Sequence, residues 1–435
     1  MAEKSWERNL KLERHEELEL QKHTFAYAYT KKIIPSGLRV IVKKTSSPLV
    51  AINFWVSVGV KDEEPEKNGL SHFFEHMVFK GTANYPGSFL SRRVQALGGI
   101  MNAGTSLDTT DFYLVVPREH WREALKLEVD LLFDPLFDPR EIEKEKMVVI
   151  QEIHLDEDDP EERLIHLLHQ RVFSGTPYGK PILGTEETVK TFTREDLLRH
   201  QRLFYHPANL ALVVVGDVSE EEVFEEAERL VEEFYSPGNS PFSPFPPLPS
   251  PTQQIVNCSM DVRRYYGTIG FLTGGIREDD FYLLRLLSVV LGDGIGSRLN
   301  VVLREQKGLV DSIHTAYSYY QKAGIFAIFY TFSQGEKGRI EEEIQKEVER
   351  LVSSPPEEEE LIRGKNLLRS SLFSALETTL GTAELLGRSD VTDNIDRVVH
   401  QFLNLESFRS EDLVKMVKKY LDFERATSIF IEPGA

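Results

Sequence analysis

One cysteine, Cys258, is all that the 435 residues contain, so no disulfide can close within the chain and nothing points to an oxidising compartment. A reduced, cytoplasmic setting is the expectation. Long apolar runs are missing too: no stretch approaches the roughly 18 consecutive apolar residues of a membrane span. The opening segment, MAEKSWERNLKLERHEELELQ, has neither the apolar centre of a signal peptide nor the acid-poor character of an organelle-targeting segment. It reads as a charged arm over residues 1–26. Positive charge is also in short supply, with 51 basic against 70 acidic residues and a formal net charge of −19. That balance argues against nucleic acid or an anionic membrane as partner. It suits solubility first, and the drawing-in of basic peptides second.

What is present is enough apolar material, 41% of residues, to fill two cores in a chain of this length. Strand-like stretches run from Leu38 to Lys44 and from Val50 to Val60. In the second, Val50, Ile52, Phe54, Val56, Val58 and Val60 alternate with the period that sets one sheet face against a core. A helix follows, with Asn68 as its cap, Leu70, Phe73, Phe74 and Met77 on its buried side and Gly81 as its stop. Strands are expected at Tyr113–Val116 and Leu210–Val215, and helices at Arg118–Leu132 and Pro139–Leu155. The order is α+β and lacks the steady alternation of a doubly wound parallel sheet.

Prolines crowd SPGNSPFSPFPPLPSP, which cannot continue a helix or donate to a sheet ladder. Residues 237–254 therefore read as a linker between a first domain, 27–236, and a second, 255–435. The second repeats the plan of the first: a strand over Gly267–Thr273, a helix over Asp280–Leu291, a strand over Ile325–Phe332 and a last strand over Thr427–Ile431. The two domains are expected to be related by duplication.

The chemistry lies in SHFFEHM, residues 71–77. On a helix, positions four apart share a face, so His72 and His76 can offer imidazole nitrogens to one metal ion. Glu75 points to nearly the same side, where a carboxylate can take the proton of an attacking water and pass it to a leaving amine. The bland alternative is two ordinary histidines and a solvated glutamate. In EKEKMVVIQE, residues 143–152, Glu145 and Glu152 are seven apart and share a helical face. One of them can bind the metal while the other orients a ligand or the water; an acidic surface is the alternative. His166 and His169 lack a carboxylate or cysteine partner at ligand spacing and read as packing or surface residues. Gly292, Gly294 and Gly296 lack the lysine and hydroxyl of a phosphate loop and read as a turn.

Taken together, HFFEHMVFKGT, GGIMNAGTSLDTTDFY, PLFDP, EIEKEKMVVIQEI, PYGKPILGT and NLALVVVGDVS resemble the pitrilysin family of metallopeptidases, in its processing-peptidase branch. The resemblance runs from Gly37 to Ser219 and continues more loosely beyond. It implies zinc as cofactor, Glu152 as third ligand beside His72 and His76, and Glu145 as an auxiliary residue. It also implies two related domains, each an antiparallel sheet flanked by helices, and a chain that is half of a clamshell closing on a peptide with a second copy or a related subunit. Asn102 and Ala103 fall on the family's edge strand, to which a peptide adds as another strand. In LREQKGLVDSI, Arg304 matches an arginine that grips substrate, while Asp311 stands where a tyrosine is expected; Tyr317 or Tyr319 could serve instead. The function implied is zinc endopeptidase on short or unfolded peptides. The competing class is a silent scaffold subunit of a peptidase-like complex.

Overall fold

The computed structural model describes residues 29–232, 245–333 and 337–434. The charged arm and the first part of the proline-rich linker lie outside the described residues. The first sheet is built from β1 (Thr30–Ile33), β2 (Arg39–Lys44), β3 (Leu49–Val56), β4 (Ile100–Thr105), β5 (Thr110–Pro117) and β6 (Leu210–Gly216). Its helices are α1 (Leu70–Val78), α2 (Phe89–Ala96), α3 (Trp121–Phe133), α4 (Pro139–Asp158), α5 (Pro160–Val172), α6 (Glu186–Lys190), α7 (Arg194–Phe204) and α8 (Glu220–Val231). The second sheet comprises β7 (Gln254–Met260), β8 (Tyr265–Thr273), β9 (Ser312–Tyr319), β10 (Gly324–Phe332) and β11 (Thr427–Pro433). Around it stand α9 (Phe281–Gly292), a π-helical turn (Asn300–Gln306), α10 (Lys337–Ser353), α11 (Glu358–Leu376), α12 (Thr379–Thr392), α13 (Ile395–Leu403) and α14 (Ser410–Tyr420).

The two sheets run in the orders β1-β2-β6-β3-β5-β4 and β7-β11-β8-β10-β9, the same plan apart from the additional edge strand β1 in the first. Both are mixed rather than antiparallel, which corrects the expectation. In each, the last strand in sequence inserts between two strands that run in opposite directions: β6 between β2 and β3, and β11 between β7 and β8. A strand so placed must be parallel to one of its neighbours. The parallel pairs are β2 with β6 and β7 with β11.

The alternation seen in β3 places Val50, Ile52, Phe54 and Val56 in the core shared with α1, α3 and α4. The strand ends at Val56, short of the expected Val60, although Val58 and Val60 are buried. Backbone contact explains the stop. A side chain on Gly59 would come within 2.5 Å of the Ser106 carbonyl oxygen, and the Val60 and Lys61 amides donate to Ser106 and Leu107. The break between α4 and α5 is set by Asp159, which accepts from the amides of Glu161 and Glu162, with Pro160 at the first helical position.

The other face of each sheet is covered by a helix from the opposite half of the chain. Leu164, Leu167, Leu168 and Val172 of α5 pack with Ile325, Ala327, Ile429 and Ile431 of the second sheet. Ala383, Leu386 and Val391 of α12 pack on Ile41, Ala51, Trp55 and Val213 of the first. Each docking point is a glycine: Gly270 lies under Leu168, and Gly387 lies against the Trp55 indole. Among the described residues no helix is long and apolar enough to cross a membrane.

Gly387 offers a test of this docking, because two effects of opposite sign compete there. Glycine to alanine inside a helix ordinarily gains about 0.5–1 kcal/mol. Here the new Cβ would stand 2.1 Å from Trp55 Cδ1, and overpacking of that kind costs about 1–3 kcal/mol. Gly387→Ala should therefore lower the urea midpoint of unfolding; a raised midpoint would show that α12 does not pack this tightly.

Candidate active site

Helix α1 starts at Gly69, whose φ of 92° is in the left-handed region and whose missing side chain would strike the Leu183 carbonyl. Asn68 is not its cap. The Glu63 carboxylate takes that role, accepting from the amides of Gly69 at 2.8 Å and Ser71 at 2.7 Å and from the Asn68 side chain at 3.0 Å. Burial pushes the Glu63 carboxyl up to about 7, with the Ser71, Asn68 and Gly69 hydrogen bonds pulling back. Along α1, Leu70, Phe73, Phe74 and Met77 enter the first core. Phe74 packs on Tyr205 and on His200, a buried and neutral histidine. The opposite side of the helix is left with His72, Glu75 and His76.

The neighbouring helix α4 brings two glutamates to that side. His76 donates from Nδ1 to Glu145 Oε1 at 2.9 Å, and Lys80 donates to Glu145 Oε2 at 2.5 Å. The bond to Glu145 leaves His76 Nε2 aimed at Glu152 Oε2, 3.6 Å away, and His72 Nε2 lies 3.8 Å from Glu152 Oε1. Ligand atoms of His72, His76 and Glu152 all lie within 4.8 Å of one another. Four ligands around zinc stand about 3.4 Å apart when metal–ligand bonds are about 2.1 Å, so the three side chains fit such an ion. Glu75 sits beside them with Oε2 accepting from the Thr105 hydroxyl at 2.5 Å.

The charge states suit that use. Burial, helped by His76, pulls His72 down to about 3, which keeps it neutral and able to ligate. Burial also pulls His76 down, but the bond to Glu145 and the charges of Glu152 and Glu75 outweigh it and hold its pKa above the ordinary value. Burial raises Glu75, with Thr105 opposing, and raises Glu152, with His76 opposing. Burial would raise Glu145 as well, yet the hydrogen bonds from His76 and Lys80 hold it below the usual range. A cation at this spot would take over the stabilising charge that a proton on His76 provides.

Of the other residues singled out from the sequence, Asn102 and Ala103 lie on β4, an edge strand that among the described residues pairs with β5 alone. Asn102 is exposed, whereas Ala103 packs against the first core on the α1 side. Arg304 is exposed in the π-helical turn of the second half, with no contact to the cluster among the described residues. Asp311 is exposed too and accepts from Ser333. Neither tyrosine considered in its place is free: Tyr317 donates to the Gly274 carbonyl, and Tyr319 packs on Phe281 under Arg388. His169 is a packing residue, donating to Ile165 and accepting from the Tyr320 hydroxyl. The sequence reading missed Glu63, Lys80 and Thr105. Only Thr105 carried a signal, because it lies two residues beyond Ala103 on the same strand face.

Residues 39–186 match the family model Insulinase (Peptidase family M16), and residues 191–368 match Peptidase M16 inactive domain. An uncharacterized zinc protease of Rickettsia bellii is 32% identical over 341 residues, 78% of this chain and 82% of that protein. The probable mitochondrial-processing peptidase subunit beta of Arabidopsis thaliana is 27% identical over 376 residues, 82% of this chain and 70% of that one. Among solved structures, a protease from Helicobacter pylori superposes with a TM-score of 0.86 at 22% identity, over 93% of this chain and 99% of its own, a likeness of fold. A chain of Complex III2 from Candida albicans superposes with a TM-score of 0.76 at 15% identity, over 92% of this chain and 95% of its own.

Zinc titrated into the metal-free protein should bind at one ion per chain, and Glu152→Gln should weaken it by at least about a hundredfold, the upper end of the cost of losing an outer partner alone. Competition with a chromophoric chelator measures this. Equal affinity in the variant would remove Glu152 from the ligand set.

Proposed function

The chain belongs to peptidase family M16, and from that premise we propose that it is a zinc endopeptidase acting on short or unfolded peptides. The observation that carries the reading is the convergence of His72, His76 and Glu152 with Glu75 alongside. In the proposal His72, His76 and Glu152 hold the ion, and Glu145 keeps His76 oriented. The ion, when bound, lowers the pKa of a water and polarises the peptide carbonyl. Glu75 accepts the proton of the attacking water and returns it to the leaving nitrogen as the C–N bond breaks. Thr105 engages only Oε2, so Oε1 is available for that transfer. The outer edge of β4 offers backbone groups around Asn102 and Ala103 to a peptide that adds as a further strand.

We read residues 27–236 and 255–435 as the two domains of half a chamber, completed by a second copy or a related subunit, with Arg304 on its substrate-facing side. A cytoplasmic setting accords with the single cysteine. The alternative is a catalytically silent scaffold subunit; Asp311 in the place of the family's tyrosine favours, instead, a chain that supplies the zinc half of a two-chain chamber while a different subunit supplies the tyrosine. The intact metal-binding cluster favours catalysis.

Glu75→Gln should bind zinc as the unmutated protein does while peptide hydrolysis falls by about 100-fold or more; a metal-replete variant that still turns over would remove Glu75 as base. Mass in solution measured together with activity addresses the partner. Vigorous hydrolysis by a monomer or homodimer would rule out an obligatory different subunit, whereas an inert protein rescued by a related subunit would support one.

A further inference from the structure

Thr105 is the last residue of the edge strand β4, and by alternation with Met101 and Ala103 it faces α1. Its β-branched side chain has few rotamers, so where the strand end lies decides where the hydroxyl points. That strand end is tied down in three ways. Thr105 pairs with Thr110, and the turn between them is closed by the Ser106 hydroxyl on Thr109. The Val60 and Lys61 amides donate to the Ser106 and Leu107 carbonyls, and the Lys61 ammonium donates to the Asp108 carbonyl at 2.9 Å. The third tie crosses to the other half of the molecule. Asp108 is buried; its Oδ1 accepts from the Tyr178 hydroxyl at 2.6 Å, and its Oδ2 accepts from the Gln321 amide at 2.7 Å, in the turn between β9 and β10. Tyr178 in turn accepts from the Lys322 amide at 3.3 Å.

We propose that Asp108 and Thr105 are positioning residues for Glu75: Asp108 fastens the β4–β5 turn to the β9–β10 turn of the second sheet, and the strand end held there lets Thr105 fix the Glu75 carboxylate. The inference rests on the reading of Glu75 as the base. It makes the orientation of that base depend on how the two sheets sit against each other, through a path of Gln321, Asp108, the β4–β5 turn, Thr105 and Glu75. An aspartate is required because both neighbours donate. An asparagine could satisfy Tyr178 or Gln321 only by turning its own donor toward the other, or by leaving the tyrosine proton without an acceptor.

The test uses Thr105→Val, Thr105→Ser, Asp108→Asn and, should the last fold poorly, Tyr178→Phe. Two readouts are taken: kcat, KM and zinc content of the loaded protein, and the Glu75 carboxyl-carbon NMR signal of the metal-free protein, assigned by its loss in Glu75→Gln. Thr105→Val should lower kcat about tenfold to a hundredfold, with KM within about twofold and zinc content unchanged. Thr105→Ser should recover most of the rate and the unmutated Glu75 signal. Asp108→Asn or Tyr178→Phe should shift the Glu75 signal in the same sense as Thr105→Val, and combined with Thr105→Val should add nothing further. An unmoved Glu75 signal in Thr105→Val overturns the role of Thr105, and an unmoved signal in both clasp variants overturns that of Asp108. If the unmutated loaded protein cleaves no peptide, the reading of Glu75 as base fails, while the NMR signal still decides whether the two residues hold it.

Discussion

A nine-residue helix with its residues buried almost end to end is the constraint on which the site depends. Helices of that length are marginal in water, so α1 exists because Leu70, Phe73, Phe74 and Met77 are taken into a core and because Glu63 supplies the acceptors its first amides need. Once that apolar side is fixed the helix cannot rotate, and the opposite side carries His72, Glu75 and His76 to one place. Small adjustments then come from side chains on other elements: Glu145 turns His76, and Thr105 turns Glu75. The division is physical. Apolar burial supplies the rigidity, worth about 1.5–3 kcal/mol for each large side chain, and hydrogen bonds supply the aim.

Burial fixes the two halves of the molecule in the same way. Two sheets of equal plan could fold as neighbours joined by a linker. Instead α5 covers the second sheet and α12 covers the first. Each docks over a glycine, where helix and partner approach more closely than any side chain would allow. Neither sheet buries its second face without the other half of the chain, so separation would expose both. The clasp at Asp108 is the polar counterpart of this exchange, buried and accepting a hydrogen bond on each oxygen.

Much of the site was legible in the sequence because its defining contacts are local. The spacing of His72 and His76 and the two-turn spacing of Glu145 and Glu152 are properties of single helices, and the family resemblance chose between the two glutamates. The residues that went unread touch the site through tertiary structure. Glu63 reaches α1 from a non-periodic turn, and Lys80 reaches Glu145 from beyond the helix end. The fold was legible to a similar degree. Strand-like patterning marked β2, β3, β5, β6, β8, β10 and β11 but not β1, β7 or β9, and alternation carried the third strand past its end, since Val58 and Val60 are buried in a turn that approaches Ser106. Nor does periodicity say which strand inserts between which, so the parallel pairs were not foreseen.

Electrostatics gives the arrangement its direction. Glu75, Glu145 and Glu152 converge on two histidines, and Lys80 is paired to Glu145. Burial pushes all three carboxyls upward and His76 draws each down; Glu75 and Glu152 stay raised, while Glu145, bonded to His76 and Lys80, is held below the usual range. A protonated His76 relieves part of the repulsion, but in that state its Nε2 donates and cannot ligate. A divalent cation would relieve more of it and leave the imidazole neutral. Lys80, bound to the far oxygen of Glu145, keeps the outer glutamate ionised without competing for that place. In the proposed mechanism the arrangement separates one carboxylate that orients a ligand, Glu145, one that ligates, Glu152, and one that carries a proton, Glu75.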